Sequence, residues 1–432
     1  MSEDSQRIRD TLVGARSVAV LGRLRSIVGL AIEADVPGAR LGELCEIERD
    51  GREPLLAEVV GFREHSARLL PLGRAEGLGP DDVVRPLERE LTVTVGDALL
   101  GRVLDGLGRP IDGGAALRGE QRSAHAKPPA ALSRTRISEP LATGVRAIDG
   151  LLTLGVGQRV GLVAGSGVGK STLLAQIARQ AEADVFVACL VGERGRELAD
   201  FVDVIAAQKA RGAIVCATAD EPPLVRMKSA LVATAIAEHF RDRGQRVLLL
   251  VDSITRFARA AREVGLAAGE PPVRRGYPAS VLAALPELLE RAGTSERGAI
   301  TALYTVLVEG DETTEDPIAD ELRGTLDGHI VLSRTLAARG HYPAIDVPLS
   351  LSRLMPSVTS TGHRLAADAI RAHIARYEEK RDLIALGAYV AGSDKRLDRA
   401  IERIEKIHAF LQQEPQASAG FADTVAALER LA

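Results

Sequence analysis

The 432-residue sequence is poor in aromatic and thiol side chains: it has 3% aromatic residues, no tryptophan and three cysteines. Cys45, Cys189 and Cys216 lie far apart and form no CxxC motif. This spacing argues against a disulfide framework or a structural zinc site, and it favours a reducing cytosol. The scarcity of aromatic rings also leaves few surfaces on which nucleic-acid bases can stack.

The sequence has no large excess of basic or acidic residues and no long hydrophobic segment. The 55 basic and 59 acidic residues give a formal net charge of −4, so no overall positive field attracts nucleic acid. No stretch approaches the roughly 18 uninterrupted apolar residues of a membrane span. The acidic, polar residues 1–5 lack the features of a secretory signal. We therefore expect a cytoplasmic protein that contacts a membrane only peripherally and binds no nucleic acid.

A chain of this length predicts two or three domains. Its first ninety or so residues alternate between short strands and glycine turns; Asp50 and Gly51 mark a hairpin, and residues 55–60 continue as a strand. The pattern predicts a small β-barrel or a β-sandwich, and composition does not separate the two. Residues 115–138 have little periodicity and are rich in Ala, Arg, Ser and Pro, which predicts a connecting loop.

From about Gly155 onward, apolar runs alternate with helical segments. Near-continuous apolar runs are typical of a parallel sheet that is covered on both faces. The predicted strands are 159–164, 185–191, 213–217, 247–251, 299–306 and 329–332. Beyond about residue 359 the chain becomes helical, with charges opposite two apolar faces. These faces consist of Ile370, Ile374 and Tyr377, and of Leu397, Ile401, Ile404 and Leu411.

A glycine-rich loop follows the predicted strand 159–164 and precedes a predicted helix. The segment comprises Gly165, Ser166, Gly167, Val168, Gly169, Lys170, Ser171 and Thr172. Between a strand and a helix this pattern predicts a P-loop, whose glycines let backbone N–H groups surround phosphate oxygens at the positive end of the helix dipole. Lys170 can then reach the β- and γ-phosphates, and the Ser171 hydroxyl can complete a Mg²⁺ shell. Ala164 departs from the usual pattern, which begins with glycine.

The apolar run 247–251 ends at Asp252. A carboxylate at the end of such a strand lies at the carboxyl edge of the sheet, beside the P-loop, where it can hold a magnesium-bound water. The alternative is that Asp252 caps the helix that follows.

Glu193 follows another apolar run, in the segment VGERGRE at 191–197. Hydrolysis needs a positioned acceptor for the proton of the attacking water, and this carboxylate can serve as one. The alternative is that Glu193 and Glu197 only pair with Arg194 and Arg196 on a solvated loop.

Several motifs in a fixed order resemble those of the type III export ATPases, relatives of the catalytic subunits of rotary ATP synthases. They are GSGVGKS at 165–171, VGERGRE at 191–197, VDSITRF at 251–257, GEPP at 269–272, RGYP at 275–278, LDGHIVLSR at 326–334 and HYPAID at 341–346. The resemblance covers nearly the whole chain. It implies an N-terminal β-barrel domain (1–88), a RecA-like α/β ATPase domain (89–358) and a C-terminal α-helical domain (359–432). It also implies a homohexameric ring with nucleotide between neighbouring subunits.

The resemblance further implies roles for individual residues. Glu193 matches the general base, and Arg194 and Arg256 match positions on the phosphate side of the pocket. Tyr342 matches an aromatic residue that packs on the adenine, the alternative being a core tyrosine. Arg353 matches an arginine finger that reaches into the adjacent subunit's site and stabilises charge on the transferred phosphoryl group.

Segments such as RGQR at 243–246 and SERG at 295–298 are more similar to injectisome than to flagellar ATPases. The predicted function is therefore the motor of a type III secretion apparatus, which hydrolyses ATP with Mg²⁺, releases chaperones from cargo and helps to unfold export substrates at the inner membrane. Its predicted partners are the export apparatus, stalk and regulator proteins, and chaperone–cargo complexes. Residues 1–20 are a candidate docking segment for a regulator. Residues 274–278 either contact substrate or stalk or form a solvated loop.

Three other functions remain as alternatives. A flagellar export ATPase shares the chemistry and serves another machine. A non-hydrolysing ring subunit, as in rotary synthases, is disfavoured because such subunits lack a base at the position of Glu193. A hexameric RNA translocase shares the core architecture, but the net charge and the few aromatics argue against it.

Overall fold

The fold is that of a computed structural model, which describes residues 20–195, 198–199, 201–203, 211–308 and 317–432. Residues 1–19 of the candidate regulator-docking segment therefore lie outside the described residues. The chain divides into two compact units. One comprises the described residues up to Leu91 together with Ala267–Glu270, and the other comprises Thr92–Leu266 and Pro271–Ala432. Each unit has its own hydrophobic core.

The first unit contains a closed six-stranded antiparallel barrel with strand order β1-β2-β5-β4-β3-β6. Its strands are β1 Gly22–Val28, β2 Ala31–Asp35, β3 Leu44–Arg49, β4 Arg52–Arg63, β5 Ser66–Pro71 and β6 Val83–Pro86. Asp50 and Gly51 form the turn between β3 and β4, as the sequence predicted, and Gly51 has a φ of 65°. Closure through the β1–β6 pairing resolves the choice between barrel and sandwich, and it leaves no unpaired edge strand.

The second unit is built on a nine-stranded sheet with order β19-β18-β12-β17-β15-β13-β14-β8, and β16 pairs with β17. Two small sheets, β7-β9 and β10-β11, complete its strands. The bounds are β7 Thr92–Val95, β8 Val103–Asp105, β9 Glu120–Ser123, β10 Pro140–Leu141, β11 Leu154–Gly155, β12 Arg159–Ala164, β13 Val185–Glu193, β14 Gly212–Thr218, β15 Arg246–Asp252, β16 Gly293–Thr294, β17 Ala299–Leu307, β18 Gly328–Leu332 and β19 Ile345–Ser352.

Helices cover this sheet and form the C-terminal region. In the described part of the chain they are α1 Arg146–Leu151, α2 Lys170–Gln180, α3 Pro223–Asp242, α4 Ile254–Ala268, α5 Ala279–Glu290, α6 Pro317–Thr325, α7 Arg334–Ala338, α8 Met355–Val358, α9 Thr361–Ala385, α10 Lys395–Leu411 and α11 Phe421–Leu431. Two short 3₁₀ helices, Asp97–Leu99 and Ala131–Ser133, lie in the connections.

The six strands predicted from apolar runs are all present. The strand predicted at 159–164 is β12 as observed. The other five are longer than predicted by one or two residues in total, and β14 and β15 are longer by one residue at each end. The strands β18, β12, β17, β15, β13, β14 and β8 run parallel, so their carboxyl ends share one edge of the sheet. Burial of all nine residues of β13 fits a strand that is covered on both faces. Strand β19 is an antiparallel edge strand beside β18.

The predicted connecting loop at 115–138 is wrong in one place, because residues Glu120–Ser123 form strand β9. This strand pairs with β7 from Thr92↔Ser123 to Val95↔Glu120. Its four side chains are exposed or half-buried, so no apolar alternation marked it in the sequence. The pairing depends on a partner about thirty residues away, which local composition does not reveal.

The helical region beyond residue 359 packs onto the sheet of the second unit. Ile370 and Ile374 of α9 and Ile404 and Leu411 of α10 are buried in the same core cluster as Leu162 of β12. The first predicted apolar face therefore points into that shared core, with Tyr377 partly buried against it. The second does so through Ile404 and Leu411, whereas Leu397 is buried outside the cluster and Ile401 is half-buried. None of the described helices is long and apolar enough to cross a bilayer.

A pair of histidines marks the contact between the sheet and these helices. The rings of His341 and His408 meet edge to face with centroids 5.5 Å apart, and His341 is 6% exposed. Burial, and secondarily the neighbouring His408, lowers the pKa of His341 to about 4. The native structure thus favours the neutral imidazole.

We expect acidification to destabilise the protein partly through His341. The unfolded state takes up this proton near pH 6.5, whereas the folded state resists it until about pH 4, so stability falls between these values by up to about 1.4 kcal/mol per pH unit. In denaturant unfolding at pH 7.5 and pH 5, His341→Gln should lose less stability than the wild type. The exposed His65→Gln is the control and should behave like the wild type; an equal loss in all three proteins would contradict the assignment.

Candidate active site

The glycine-rich loop connects β12 to α2 at the carboxyl edge of the sheet. Helix α2 begins at Lys170, which makes the lysine its first residue. Gly167 and Gly169 have φ values of 78° and 91°, in the left-handed region that favours glycine. Val168 between them is 2% exposed and joins the core cluster. This anchored loop at a helix N-terminus is the geometry that binds phosphate groups.

Lys170 lies between two carboxylates. Its Nζ is hydrogen-bonded to Asp252 Oδ1 and lies 3.4 Å from Glu193 Oε1. The side chains of Asp252 and Glu193 are 1% and 2% exposed. They approach each other because β13 and β15 are neighbours and both carboxylates end their strands at the same edge. The structure thus brings Lys170, Glu193 and Asp252 together, and their catalytic roles remain predictions.

Asp252 has two different oxygen environments. Oδ1 accepts hydrogen bonds from Lys170 and, at 2.6 Å, from the Thr305 hydroxyl. Oδ2 is buried and has no hydrogen-bond partner. A buried carboxylate oxygen without a partner is costly, so Oδ2 is suited to a cation or to the water that a cation binds.

Glu193 also contacts Arg256, which reaches it from helix α4. Arg256 Nη1 lies 2.6 Å from Glu193 Oε2 and donates to the carbonyl oxygen of Gly192. Glu193 is thus buried and fixed between two cations, which does not fit the alternative of a solvated loop. Arg194 follows it and is exposed, whereas Arg196 and Glu197 lie outside the described residues.

The remaining loop residues occupy the start of α2. Ser171 is half-buried and Thr172 is exposed. Because the helix begins at Lys170, both hydroxyls belong to its first turn.

A pocket of about 730 Å³ opens beside the loop, and its size suits a nucleotide. Tyr342 forms one wall: its ring packs against Gly169, where a Cβ atom would lie 3.4 Å from the tyrosine. With 43% exposure, Tyr342 is not a core tyrosine. The other lining residues are Arg146, Thr172, Leu173, Gln176, Gly340, Pro343, Gln412, Gln413, Glu414, Pro415 and Ala417.

Arg353 is the one predicted catalytic residue that lies away from this group. It follows β19, and its N–H donates to Asp327 O, while Asp327 Oδ2 accepts from the N–H of Arg159 at the start of β12. The P-loop begins at the other end of β12, about 17 Å away at ~3.3 Å per residue. Arg353 therefore lies at the opposite edge of the sheet from the P-loop of its own chain.

The segment 274–278 is partly ordered by local contacts. Arg274 pairs with Asp320 at 3.2 Å, and the Arg262 guanidinium lies 5.5 Å from the ring centre of Tyr277. Tyr277 is 8% exposed, whereas Val273 before the segment is 69% exposed. Whether it contacts substrate or stalk remains a prediction.

Three residues at the site were missed by the sequence reasoning. Thr305 could have been noticed as a polar residue within the apolar strand β17. Arg334 follows β18, and its guanidinium covers Gly165, where a Cβ atom would lie 2.6 Å from Nε. Gln413 lies in a polar segment between helices, in which no local signal distinguishes it.

The fold and the site together make this protein a P-loop ATPase. Comparison with known proteins shows to which family of P-loop ATPases the chain is similar. Residues 144–352 match the nucleotide-binding domain of the ATP synthase alpha/beta family, and residues 25–88 match the beta-barrel domain of that family. Residues 359–430 match the T3SS EscN ATPase C-terminal domain.

Individual relatives agree with these matches. The type 3 secretion system ATPase of Xanthomonas euvesicatoria is 51% identical over 408 residues, which cover 94% of this chain and 92% of the relative. The flagellum-specific ATP synthase of Bacillus subtilis is 45% identical over 432 residues, which cover 99% of this chain and 98% of the relative. The structure of the assembled ATPase EscN in complex with its central stalk EscO, from enteropathogenic E. coli, has a TM-score of 0.88 at 45% identity, covering 95% and 99%. The chain therefore belongs to the type III secretion ATPases of the ATP synthase alpha/beta family.

We expect the loop glycines to differ in their tolerance of alanine. Gly167→Ala adds only backbone strain, about 1–2 kcal/mol, because nothing lies within 4 Å of its Cβ position. Gly169→Ala adds the same strain, and its Cβ would be in ordinary van der Waals contact with Tyr342, whereas Gly165→Ala only displaces the exposed Arg334. Denaturant unfolding without nucleotide should show similar losses of stability for Gly167→Ala and Gly169→Ala and a smaller loss for Gly165→Ala. A larger loss for Gly165→Ala than for Gly167→Ala would contradict this geometry.

Proposed function

We propose that this protein hydrolyses ATP at the carboxyl edge of its sheet and drives protein export by a type III secretion apparatus. The observation that carries the proposal is the position of Lys170, the first residue of a phosphate-binding helix, between the buried carboxylates of Glu193 and Asp252. The relatives named above, which span nearly the whole chain, support the secretion role.

In the proposed reaction, Gly165–Thr172 bind the phosphates through backbone N–H groups, and Lys170 turns from the carboxylates to the β- and γ-phosphates. A water molecule attacks the γ-phosphorus while the bond to the β-phosphate oxygen breaks. Glu193 accepts the proton of that water. Arg256 holds Glu193 in place through the 2.6 Å ion pair, and Arg194 lies next to it on the phosphate side.

The residues fit a Mg²⁺ ion that enters with ATP. Ser171 would supply a hydroxyl oxygen, and Asp252 Oδ2, the buried oxygen without a partner, would accept from a metal-bound water. No group of three or more His, Cys, Asp or Glu side chains suited to a metal occurs among the described residues. That fits Mg²⁺, which is usually held by one or two carboxylates plus substrate phosphates. The ion would neutralise charge on the phosphates.

The adenine is proposed to bind in the 730 Å³ pocket against the ring of Tyr342. The ring touches the phosphate loop at Gly169 on one side and is 43% exposed, so a face remains available for a base. Lys170 would thus bind the phosphate end of a ligand whose base lies beside Tyr342.

Arg353 is proposed to act on the nucleotide of a neighbouring subunit in a homohexameric ring. Its own P-loop lies about 17 Å along β12, more than an arginine side chain spans. An arginine finger in trans is worth ~10³-fold or more in turnover. The proposed domain borders in each subunit are 1–88, 89–358 and 359–432.

Assembly on the secretion apparatus is proposed by analogy with relatives. EscN is described in complex with its central stalk EscO, which supports a stalk partner here. Regulators, chaperone–cargo complexes and peripheral contact with the inner membrane complete the proposed setting in the cytoplasm. The flagellar alternative keeps the support of the 45% identical Bacillus subtilis relative. Complementation of a strain that lacks its type III secretion ATPase and of one that lacks its flagellar export ATPase would distinguish the two functions.

Removal of the charged groups at the phosphate end should stop hydrolysis. We expect Lys170→Ala and Glu193→Gln to lower phosphate release from ATP by ~10²-fold or more, because phosphate grip and proton acceptance are lost. The control Glu296→Gln alters an exposed carboxylate on the 295–298 turn. Turnover at the wild-type rate in either site variant would refute the proposed chemistry.

A mixing experiment tests the shared site. Arg353→Ala and Lys170→Ala subunits should each be inactive alone, since one lacks the finger and the other the phosphate grip. When mixed before assembly, they should regain part of the wild-type rate, because some interfaces combine an intact Lys170 with an intact Arg353. If Arg353 acted within its own chain, no mixture would exceed the sum of its components.

A further inference from the structure

One wall of the nucleotide pocket comes from the segment between α10 and α11. We call residues 412–417 the strap. Five of its six residues line the pocket: Gln412, Gln413, Glu414, Pro415 and Ala417. The strap lies on the side of the pocket formed by Tyr342, whereas Lys170 and its carboxylates lie at the phosphate end.

Gln413 is the buried residue that fixes the strap. It is 7% exposed, and both the oxygen and the nitrogen of its side-chain amide are hydrogen-bonded. Its Nε2 donates to Gly144 O and to Ala417 O, both at 2.7 Å, and its Oε1 accepts from Arg146 N at 2.9 Å. Its backbone N–H donates to Tyr342 O at 2.9 Å. The side chain of Gln413 therefore joins the strap to the start of α1. Its backbone N–H joins the strap to Tyr342.

Other contacts hold the end of α10 and the strap that follows it; among them, Arg146 Nη2 donates to Gln412 O. Arg146 Nε donates to Phe410 O at 2.7 Å, and its guanidinium lies 5.9 Å from the centre of the Phe410 ring. Gln180, the last residue of α2, donates to Ala417 O at 2.9 Å. In the middle of the strap, Pro415 O accepts from Arg179 Nη1 and Gln180 Nε2, each at 3.4 Å. Gln413 alone among the described strap residues is buried.

From these contacts we infer that Gln413 is a positioning residue for nucleotide base binding. This inference rests on the proposed ATPase function. Loss of the side-chain amide leaves the N–H of Arg146 without its acceptor. It leaves the carbonyl oxygen of Gly144 with only the N–H of Ala419 at 3.4 Å, and that of Ala417 with only Gln180 Nε2 at 2.9 Å. Buried polar groups in that state favour opening of the strap to water. The pocket then loses the wall that lies opposite the phosphate end. Tyr342 also loses the hydrogen bond that holds its backbone in position.

The inference predicts that substitution of Gln413 weakens binding of the nucleotide base without weakening binding of the phosphates. The strap is not hydrogen-bonded to Lys170, Glu193 or Asp252, so the grip on phosphate should persist when the strap opens. A ligand with a base should lose affinity, and a ligand made of phosphates alone should not. At saturating ATP, the turnover rate should also persist while the KM rises.

The test compares Gln413→Met with Gln416→Met, the same change at an exposed position of the strap. The probes are the Mg²⁺ complexes of a non-hydrolysable ATP analogue and of inorganic tripolyphosphate, measured by calorimetry. We expect Gln413→Met to raise the Kd of the ATP analogue about tenfold or more and to leave tripolyphosphate binding within about twofold. Gln416→Met should match the wild type with both ligands. Gln413→Glu, which keeps the length but cannot donate when ionised, should reproduce the effect if the methionine variant fails to fold.

The outcomes are distinguishable. Unchanged affinity for the ATP analogue in a folded Gln413 variant would overturn the inference. So would an equal loss of affinity for both ligands, since that would mean a general structural role. If the wild type bound neither ligand, the proposed ATPase function would fail and the inference with it. If the wild type bound both ligands and the Gln413 variants showed no selective loss of affinity for the ATP analogue, the inference would be overturned and the proposed ATPase function would stand.

Discussion

The contact of Lys170 with both Glu193 and Asp252 governs the organisation of the site. Each carboxylate is almost fully buried, and an isolated charge in such a place is strongly unfavourable, so one cation serves two anions. In the proposed reaction, bound phosphate draws Lys170 away and changes this balance. Arg256 continues to compensate Glu193 at 2.6 Å, and the Thr305 hydroxyl continues to bind Asp252. Asp252 Oδ2 has no hydrogen-bond partner, and we propose that the cation accompanying ATP compensates its charge.

The sheet explains why three distant stretches of sequence meet there. Parallel pairing of β12, β17, β15 and β13 brings their carboxyl ends to one edge, and the P-loop, Glu193 and Asp252 lie at those ends. The same topology directs Arg353 to the opposite edge through the antiparallel strand β19. The base pocket is completed from the far end of the chain, where the strap returns to α1 and Tyr342. In this account the phosphate end is built by the sheet, the base end by the helical region, and the finger by another subunit.

Sequence reasoning succeeded where the signal is local. The P-loop pattern, the apolar runs and the strand-ending carboxylates are each visible within about ten residues, and the structure has them as expected. It was weaker where a residue's role depends on a distant partner. Strand β9 was missed because only its pairing with β7 makes it a strand, and Gln413 was missed because its partners Gly144 and Arg146 are more than 260 residues away. The choice of a barrel also depended on closure between β1 and β6, which short-range alternation does not encode.

The central claim is that Asp252 needs a divalent cation once Lys170 grips phosphate. The most direct measurement is the Kd of a non-hydrolysable ATP analogue with and without Mg²⁺, in the wild type and in Asp252→Asn. The account predicts that Mg²⁺ tightens binding to the wild type by about tenfold or more, and binding to the variant much less, because the neutral amide leaves no buried charge to compensate. Equal tightening by Mg²⁺ in both proteins would contradict it.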